Sequence, residues 1–216
     1  MSHALLLLGR EGSGSLPLAR AFAQYLVCEK VNGKSSSSSA DLFGTAKEET
    51  PDLSDSCGTC PACTKAAGLV HPDIHFTFPT VKQEKDPVLS SNFMIQWRSF
   101  QISNPYGNIF DWLQHIQAEN KQGNITAAEC DDIARRLNLK SFESKVKVLI
   151  LWMPEYLGKE GNKLLKLIEE PPANTIFLLV AENENNIIPT IVSRTQLIKV
   201  PPIADADMMQ ALLTKY

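Results

Sequence analysis

Three short runs of apolar residues constrain the fold of this chain more than any other feature. Residues 4–8 read ALLLL, residues 145–152 read KVKVLILW and residues 175–182 read TIFLLVAE. Continuous apolar runs of this length are typical of parallel strands that are buried on both faces of a sheet. Helical periodicity between the runs, as in residues 16–28 and 159–169, therefore predicts an α/β domain with three layers around a parallel sheet.

The first apolar run leads directly into a glycine-rich loop, GREGSGSL at residues 9–16. Its G-x-x-x-x-G spacing, between a predicted strand and a predicted helix, is that of a loop whose backbone N–H groups surround nucleotide phosphates. A working loop continues with Lys, which neutralises the phosphates, and with Ser or Thr, which ligates magnesium. This chain has Ser15 and Leu16 there. We therefore expect a degenerate phosphate loop, which does not bind ATP productively and consists of Gly9, Gly12, Ser13, Gly14 and Ser15.

The second apolar run ends without the acidic pair that a nucleotide hydrolase of this type carries. An Asp for magnesium and a Glu for the attacking water are expected there, whereas this chain has Trp152 and Met153. Neither side chain offers a hard oxygen ligand for magnesium. Glu155 lies further along and would have to reach back. Two independent losses in one site predict a protein without intrinsic ATPase activity.

Cysteine spacing indicates a metal knuckle. Cys57, Cys60 and Cys63 follow a C-x-x-C-x-x-C pattern, and tetrahedral zinc requires a fourth ligand. Cys28, at the end of the first predicted helix, is the leading candidate, and His71 and His75 are the alternatives. An iron–sulfur cluster is a second reading of the same thiols. The fifth cysteine, Cys130, lies on an amphipathic helix and is interpreted as packing.

Residues 83–124 look like a helical insert. Two amphipathic stretches, NFMIQWRSFQI and NIFDWLQHIQAE, are separated by the turn SNPYG. We expect two short helices that form a satellite core at one edge of the domain, packed through Trp97, Phe100, Phe110 and Trp112. The helix that follows, 125–137, begins with a capping box of Thr126 and Glu129.

Composition narrows the cellular context. The 216 residues carry a net charge of −3, which argues against a free-standing nucleic-acid binder that depends on bulk positive charge. No apolar run reaches the roughly 18 to 20 residues of a membrane span, and the N-terminus lacks a secretory signal. We expect a cytoplasmic protein with no membrane partner, with a serine-rich acidic surface loop at residues 31–56.

Taken together, these motifs resemble the bacterial clamp-loader family of AAA+ proteins, whose nucleotide domain is P-loop NTPase-like. The resemblance covers almost the whole chain. It rests on HALLLLGREGSG, on CGTCPAC followed by HPD, on NKLLKLIEEPP at residues 162–172, on TIFLLVAENE and on PTIVSRT. The stretch NKLLKLIEEPP and the zinc knuckle inside the nucleotide domain are highly specific to this family.

The resemblance implies a stator, a subunit of the replicative DNA polymerase holoenzyme that does not hydrolyse ATP. Its implied partners are the gamma or tau motor subunits and the delta subunit, in a five-membered ring that places a sliding clamp on primed DNA. Arg194 matches the arginine of the family's Ser-Arg-Cys motif, which reaches into the ATP site of a neighbouring subunit. This chain departs from that motif at Thr195.

The resemblance also implies a domain organisation. Residues 1–202 correspond to the AAA+ nucleotide domain, interrupted by the zinc knuckle (28–63) and by the helical insert (83–124). Residues 203–216 correspond to the start of a truncated lid domain.

Two other functions fit parts of the sequence. An active AAA+ ATPase with a degenerate site is disfavoured by Ser15, Leu16, Trp152 and Met153. A zinc-dependent interaction module unrelated to replication is disfavoured by LLKLIEEPP and by the order of the AAA+ landmarks.

Overall fold

A computed structural model describes residues 2–32, 54–82 and 88–215 of the chain. Most of the serine-rich stretch at 31–56 and the first residues of the predicted insert, 83–87, lie outside these ranges. The described residues contain a five-stranded, wholly parallel sheet of order β2-β3-β4-β1-β5. Its strands are β1 (Ala4–Leu8), β2 (Ile74–Thr77), β3 (Lys147–Trp152), β4 (Thr175–Ala181) and β5 (Gln196–Lys199).

Eight α-helices accompany the strands in the described part of the chain. They are α1 (Ser15–Val27), α2 (Pro61–Ala67), α3 (Met94–Ser103), α4 (Ile109–His115), α5 (Ala127–Asn138), α6 (Asn162–Glu169), α7 (Pro189–Val192) and α8 (Asp205–Lys215). The predicted helix at 159–169 is in part a 3₁₀ helix, Pro154–Gly161, which precedes α6. None of the helices in these ranges combines the length and the apolar composition needed to cross a bilayer.

The sheet divides the hydrophobic core into two halves. Because successive side chains of a strand point to opposite faces, Leu5 and Leu7 of β1 pack with α1, α2 and the insert. Ala4 and Leu6 pack on the other face, with α5, α6 and α7. The neighbouring strands β3 and β4 alternate in the same way. The three-layer α/β prediction is confirmed.

Trp97 lies at the centre of the helical insert. It is fully buried, with its ring 4.1 Å from that of Phe78 and 5.3 Å from that of Trp112, and it also approaches Trp152 of β3 at 5.2 Å. The insert is therefore continuous with the main core, and the expected satellite core at one edge of the domain is wrong. Trp152, the last residue of β3, and Phe78, which follows β2, complete the aromatic cluster.

Phe110 does not take part in this packing, contrary to the sequence-based expectation. Its side chain is 57% exposed, whereas Trp112 of the same helix is fully buried. Since α4 carries apolar residues at Ile109, Phe110, Trp112 and Leu113, helical periodicity did not identify the buried face.

The capping box predicted for α5 is only half formed. The hydroxyl of Thr126 accepts a hydrogen bond from the Glu129 backbone N–H at 3.3 Å, as expected of an N-cap. The Glu129 carboxylate turns into the core instead, where it accepts hydrogen bonds from Thr77 Oγ1 (2.9 Å), from the Ser90 N–H (2.7 Å) and from Arg136 (3.2 Å). Buried donors cost more to leave unpaired than the exposed N–H at the start of a helix, so they take the carboxylate.

The aromatic cluster predicts an asymmetric pair of stability effects. Trp97→Ala removes a buried ring and leaves a cavity, and we expect the free energy of unfolding to fall by about 3–5 kcal/mol. Phe110→Ala removes an exposed ring of the same insert and should change it by less than about 0.5 kcal/mol. Urea unfolding of the two variants measures the difference. Equal losses would contradict the division between buried and exposed rings.

Candidate functional site

The phosphate loop connects β1 to α1 in the strand–loop–helix context predicted from the sequence. Gly12 and Gly14 have φ angles of 76° and 79°, in the left-handed region that side chains other than glycine rarely adopt. Gly14 is the N-cap residue of α1, and no side chain caps the helix there. The backbone of a phosphate-binding loop is thus present, and its free helix N-terminus favours anions.

The interior of the loop is filled by two serine hydroxyls. Ser13 Oγ and Ser15 Oγ are 2.8 Å apart, and each residue is 7% exposed. Gly9 lies so close that a Cβ atom there would be 2.3 Å from both hydroxyl oxygens. The cavity that remains has a volume of about 30 Å³, which is the space of roughly one water molecule. Nucleotide pockets are typically ten times larger or more.

The helical insert covers the loop from outside. The turn between α3 and α4 brings Tyr106 against Gly14, where a Cβ atom would be 3.2 Å from Tyr106 Cε1. Asn108 Nδ2 donates a hydrogen bond to Glu11 Oε1 at 2.5 Å, which fastens the insert to the loop. The sequence analysis missed this contact. The letters SNPYG mark a chain reversal but do not tell which surface it meets.

Two acidic residues, Glu155 and Glu182, lie near the loop at the ends of β3 and β4, and Arg10 of the loop itself lines the same small cavity. Glu155 Oε1 accepts hydrogen bonds from the backbone N–H groups of Glu182 (2.7 Å) and Asn183 (2.9 Å), so this oxygen is engaged by the end of β4. Burial, followed by the neighbouring carboxylates of Glu155 and Glu11, raises the pKa of Glu182 to about 7. Glu182 lines the small cavity of the phosphate loop together with Trp152. Glu182 therefore adds partial negative charge to this cavity, and Ser15 stands where a lysine normally neutralises the phosphates, so Arg10 is the basic residue in its lining.

The structure brings the four predicted cysteines together. The sulfur atoms of Cys28, Cys57, Cys60 and Cys63 all lie within 4.8 Å of one another. Cys28 is the C-cap residue of α1 and Cys60 the N-cap residue of α2, so the group joins the ends of two helices. Among the described residues, neither His71 nor His75 belongs to this group. The four thiols could hold a metal ion.

Backbone donors favour thiolates in this cluster. The N–H groups of Cys57, Cys60 and Cys63 donate to the sulfurs of Cys28, Cys57 and Cys60, each at 3.4 Å. Hydrogen bonds from the backbone of Thr59 and Cys60 lower the pKa of Cys57 to about 6. Burial acts in the opposite direction on Cys63 and raises its pKa. A divalent cation among the sulfurs would supply the charge that favours the thiolate form of this buried ligand.

Cys130 lies apart from the cluster, in the half of the core that faces α6. It is buried, its sulfur lies 3.6 Å from the carbonyl oxygen of Glu160, and burial raises its pKa to about 12. The interpretation of this cysteine as packing is confirmed.

Arg194 lies at the amino ends of the strands, whereas the phosphate loop lies at their carboxyl ends. In the parallel pairing of β1 with β5, Leu5 is opposite Gln196 and Leu8 is opposite Lys199. Arg194 therefore precedes the amino end of β5, whereas the loop follows the carboxyl end of β1. Strands rise about 3.3 Å per residue, so the length of β1 separates the two by about 15 Å. Arg194 does not serve the loop of its own chain.

Known proteins are similar to this chain over most of its length. The sequence profile of a family described as "DNA polymerase III, delta subunit" matches residues 1–204. An uncharacterized protein of Mycoplasma pneumoniae is 26% identical over 196 residues, which is 90% of this chain and 52% of that protein.

Two further relatives are each named DNA polymerase III subunit delta'. The one from Pseudomonas aeruginosa is 26% identical over 194 residues, 89% of this chain and 41% of its own length. The one from Bacillus subtilis is 22% identical over 204 residues, 94% of this chain and 43% of its own length. The chain thus spans about half the length, or less, of the curated relatives it matches.

The filled loop predicts that restoring its lysine is not enough to restore nucleotide binding. We expect Ser15→Lys to bind Mg-ATP no more tightly than a Kd of about 1 mM, because Ser13 and Tyr106 still line a small cavity and Leu16 offers no oxygen to magnesium. Isothermal titration calorimetry measures the Kd, and an unchanged unfolding midpoint serves as the control. A micromolar Kd would contradict the steric argument and would mean that the insert moves aside.

Proposed function

This chain belongs to the family of DNA polymerase III delta subunits, and on that premise we propose that it is a non-hydrolysing stator subunit of a replicative clamp loader. Its partners in the proposed complex are the gamma or tau motor subunits and the delta subunit. Through that complex it acts on the sliding clamp and on primed DNA, in the cytoplasm. Its net charge of −3 is consistent with DNA contacts shared across an assembly.

One observation supports the stator role most directly: serine side chains occupy the phosphate loop, and the helical insert borders the small cavity that remains. The hydroxyls of Ser13 and Ser15 occupy the loop, Tyr106 packs beside Gly14, and Glu182 lines the small cavity that remains. The carboxyl end of β3 offers no magnesium ligand, because Trp152 and Met153 stand where an acidic pair is required. A subunit built in this way keeps the fold of an ATPase without its chemistry.

The second part of the proposal is that Arg194 acts in trans, on ATP held by a neighbouring subunit. A guanidinium is always charged and donates hydrogen bonds in a planar fork, so it suits the oxygens of a transferring γ-phosphate. Two features of the arginine support this role. Its side chain is exposed over about a third of its surface. It also lies at the amino ends of the strands, away from the phosphate loop of its own chain at their carboxyl ends.

We also propose that the cysteine cluster binds one structural zinc ion. Four sulfur ligands leave no open coordination position, so such a site takes no substrate and stabilises the fold. Its place at the end of α1 and the start of α2 supports that role, because one ion would connect both helices. The ligands are Cys28, Cys57, Cys60 and Cys63.

Arg194→Ala tests the finger in a clamp loader reconstituted from full-length subunits. We expect a lower DNA-stimulated ATPase and a lower clamp-loading rate. The loss should be smaller than the roughly 10³- to 10⁵-fold contribution of a finger at a single site, because the other ATP sites of the ring keep theirs. Arg194→Lys should recover only part of the rate, since a point charge lacks the planar fork.

Arg135→Ala is the matched control for this experiment, because Arg135 is 71% exposed on α5 and, among the residues that the structure describes, its ion pair is with Asp132 of the same helix. It should leave both rates unchanged. If Arg194→Ala also left them unchanged, the subunit would not supply a finger. ATP turnover by the isolated subunit would refute the stator role itself.

The zinc proposal predicts one zinc per chain, measured by inductively coupled plasma mass spectrometry on protein purified without chelator. Cys28→Ser should bring the content well below one and lower the unfolding midpoint, because three ligands hold zinc less tightly than four. Cys130→Ala, which removes the fifth cysteine, should retain full zinc. Full zinc in Cys28→Ser would assign the fourth ligand elsewhere, and iron in place of zinc would indicate an iron–sulfur cluster.

A further inference from the structure

The motif NKLLKLIEEPP ends in a carboxylate that contacts Arg194. Glu169 is the last residue of α6, and Pro171 and Pro172 follow, which cannot continue the helix. Glu169 Oε1 accepts a hydrogen bond from Arg194 Nε, and the two side chains form an ion pair. The stretch NKLLKLIEEPP, which is highly specific to the family, and Arg194 of the sequence SRT (residues 193–195) therefore meet at the surface.

The hydrogen bonds of Arg194 leave one end of its guanidinium available. Nε donates to Glu169, and Nη1 donates to the carbonyl oxygen of Thr190 at 2.9 Å and to Ser193 Oγ at 3.3 Å. A guanidinium carries one hydrogen on Nε and two on each terminal nitrogen. These three bonds use the hydrogens of Nε and Nη1, and no acceptor for Nη2 occurs within the described ranges. Nη2 keeps both hydrogens for an acceptor outside the chain.

The start of α6 packs closely against α7, the short helix that precedes Arg194. Gly161 packs so tightly that a Cβ atom there would be 2.7 Å from Ile188 Cδ1 and 3.0 Å from Ile191 Cδ1. Ile168, next to Glu169, is buried, and its carbonyl oxygen accepts a hydrogen bond from His3 Nε2 at 2.6 Å. The backbone that carries Glu169 is thus anchored next to the sheet, and the ion pair restrains the Arg194 side chain relative to that backbone.

Fold stability does not account for the pair. Both side chains are substantially exposed, 36% for Arg194 and 45% for Glu169, and ion pairs in such surroundings contribute little to stability. The carboxylate also lies in the last turn of a helix, where the helix dipole disfavours negative charge. What the contact does achieve is to restrict a long, flexible side chain to one direction.

We propose that Glu169 is a positioning residue, which holds the Arg194 guanidinium so that Nη2 faces the γ-phosphate of ATP in the neighbouring subunit. This inference rests on the proposed role of Arg194 in trans. Glu169 touches neither the nucleotide nor the reacting atoms, and it acts only through the arginine. Preorganising a group that stabilises the transition state raises kcat, with little effect on ground-state binding.

The test uses the clamp loader reconstituted from full-length subunits, with DNA-stimulated ATPase measured over a range of ATP concentrations. We expect Glu169→Ala to lower kcat by about threefold to tenfold with KM for ATP unchanged. Glu169→Gln should lose less, because its amide oxygen can still accept the Nε hydrogen bond. Glu170→Ala is the matched control: this exposed glutamate belongs to the same motif and forms no ion pair among the described residues, so its removal should leave kcat unchanged.

A double variant separates positioning from other effects. In an Arg194→Ala background, Glu169→Ala should cause no further loss, because the residue on which it acts is gone. A further loss of the same size would overturn the inference, and so would a rise in kcat for Glu169→Ala, which would mean that the carboxylate restrains the arginine. Full activity of Glu169→Ala beside a defective Arg194→Ala would overturn it while the proposed finger stands. Full activity of Arg194→Ala would remove both.

Discussion

The burial of β1, β3 and β4 on both faces is the constraint on which the rest of the structure depends. These strands pair in parallel with their neighbours, so helices cover both faces of the sheet and each connection between adjacent strands crosses over. All carboxyl ends then lie at one edge and all amino ends at the other. The phosphate loop occupies the first edge, and Arg194 with Glu169 occupies the second. One chain thereby presents two different surfaces, which a ring of head-to-tail contacts requires.

Much of this architecture could be predicted because it rests on local patterns. Apolar runs identified the central strands, glycine spacing identified the loop, and the C-x-x-C-x-x-C pattern identified three of the clustered cysteines. Cys28 was the leading candidate for the fourth ligand, with His71 and His75 as alternatives, and the fold brings the Cys28 sulfur to the other three. Features determined by residues close in sequence, or by the number of ligands a metal needs, can be predicted from the sequence alone.

The remaining features depend on contacts between distant residues. Glu129 has the spacing of a capping residue, but buried donors on β2 and in the insert take its carboxylate. Phe110 and Trp112 are similar in the sequence, and only packing against Phe78 distinguishes the buried ring from the exposed one. Tyr106 and Glu169 carry no local signal of their roles, because each is defined by the surface it meets.

The cysteine cluster has a consequence for how this chain can vary in length. Cys28 at the end of α1 and Cys57 at the start of the cysteine knuckle bring the two ends of the intervening stretch next to each other. For a flexible insertion between two fixed ends, the entropic cost of closure grows only with the logarithm of its length, about 0.6 kcal/mol for each doubling. The stretch is therefore a place where evolution, or an engineer who inserts a reporter domain, can add many residues while the sheet and both of its edges stay as they are.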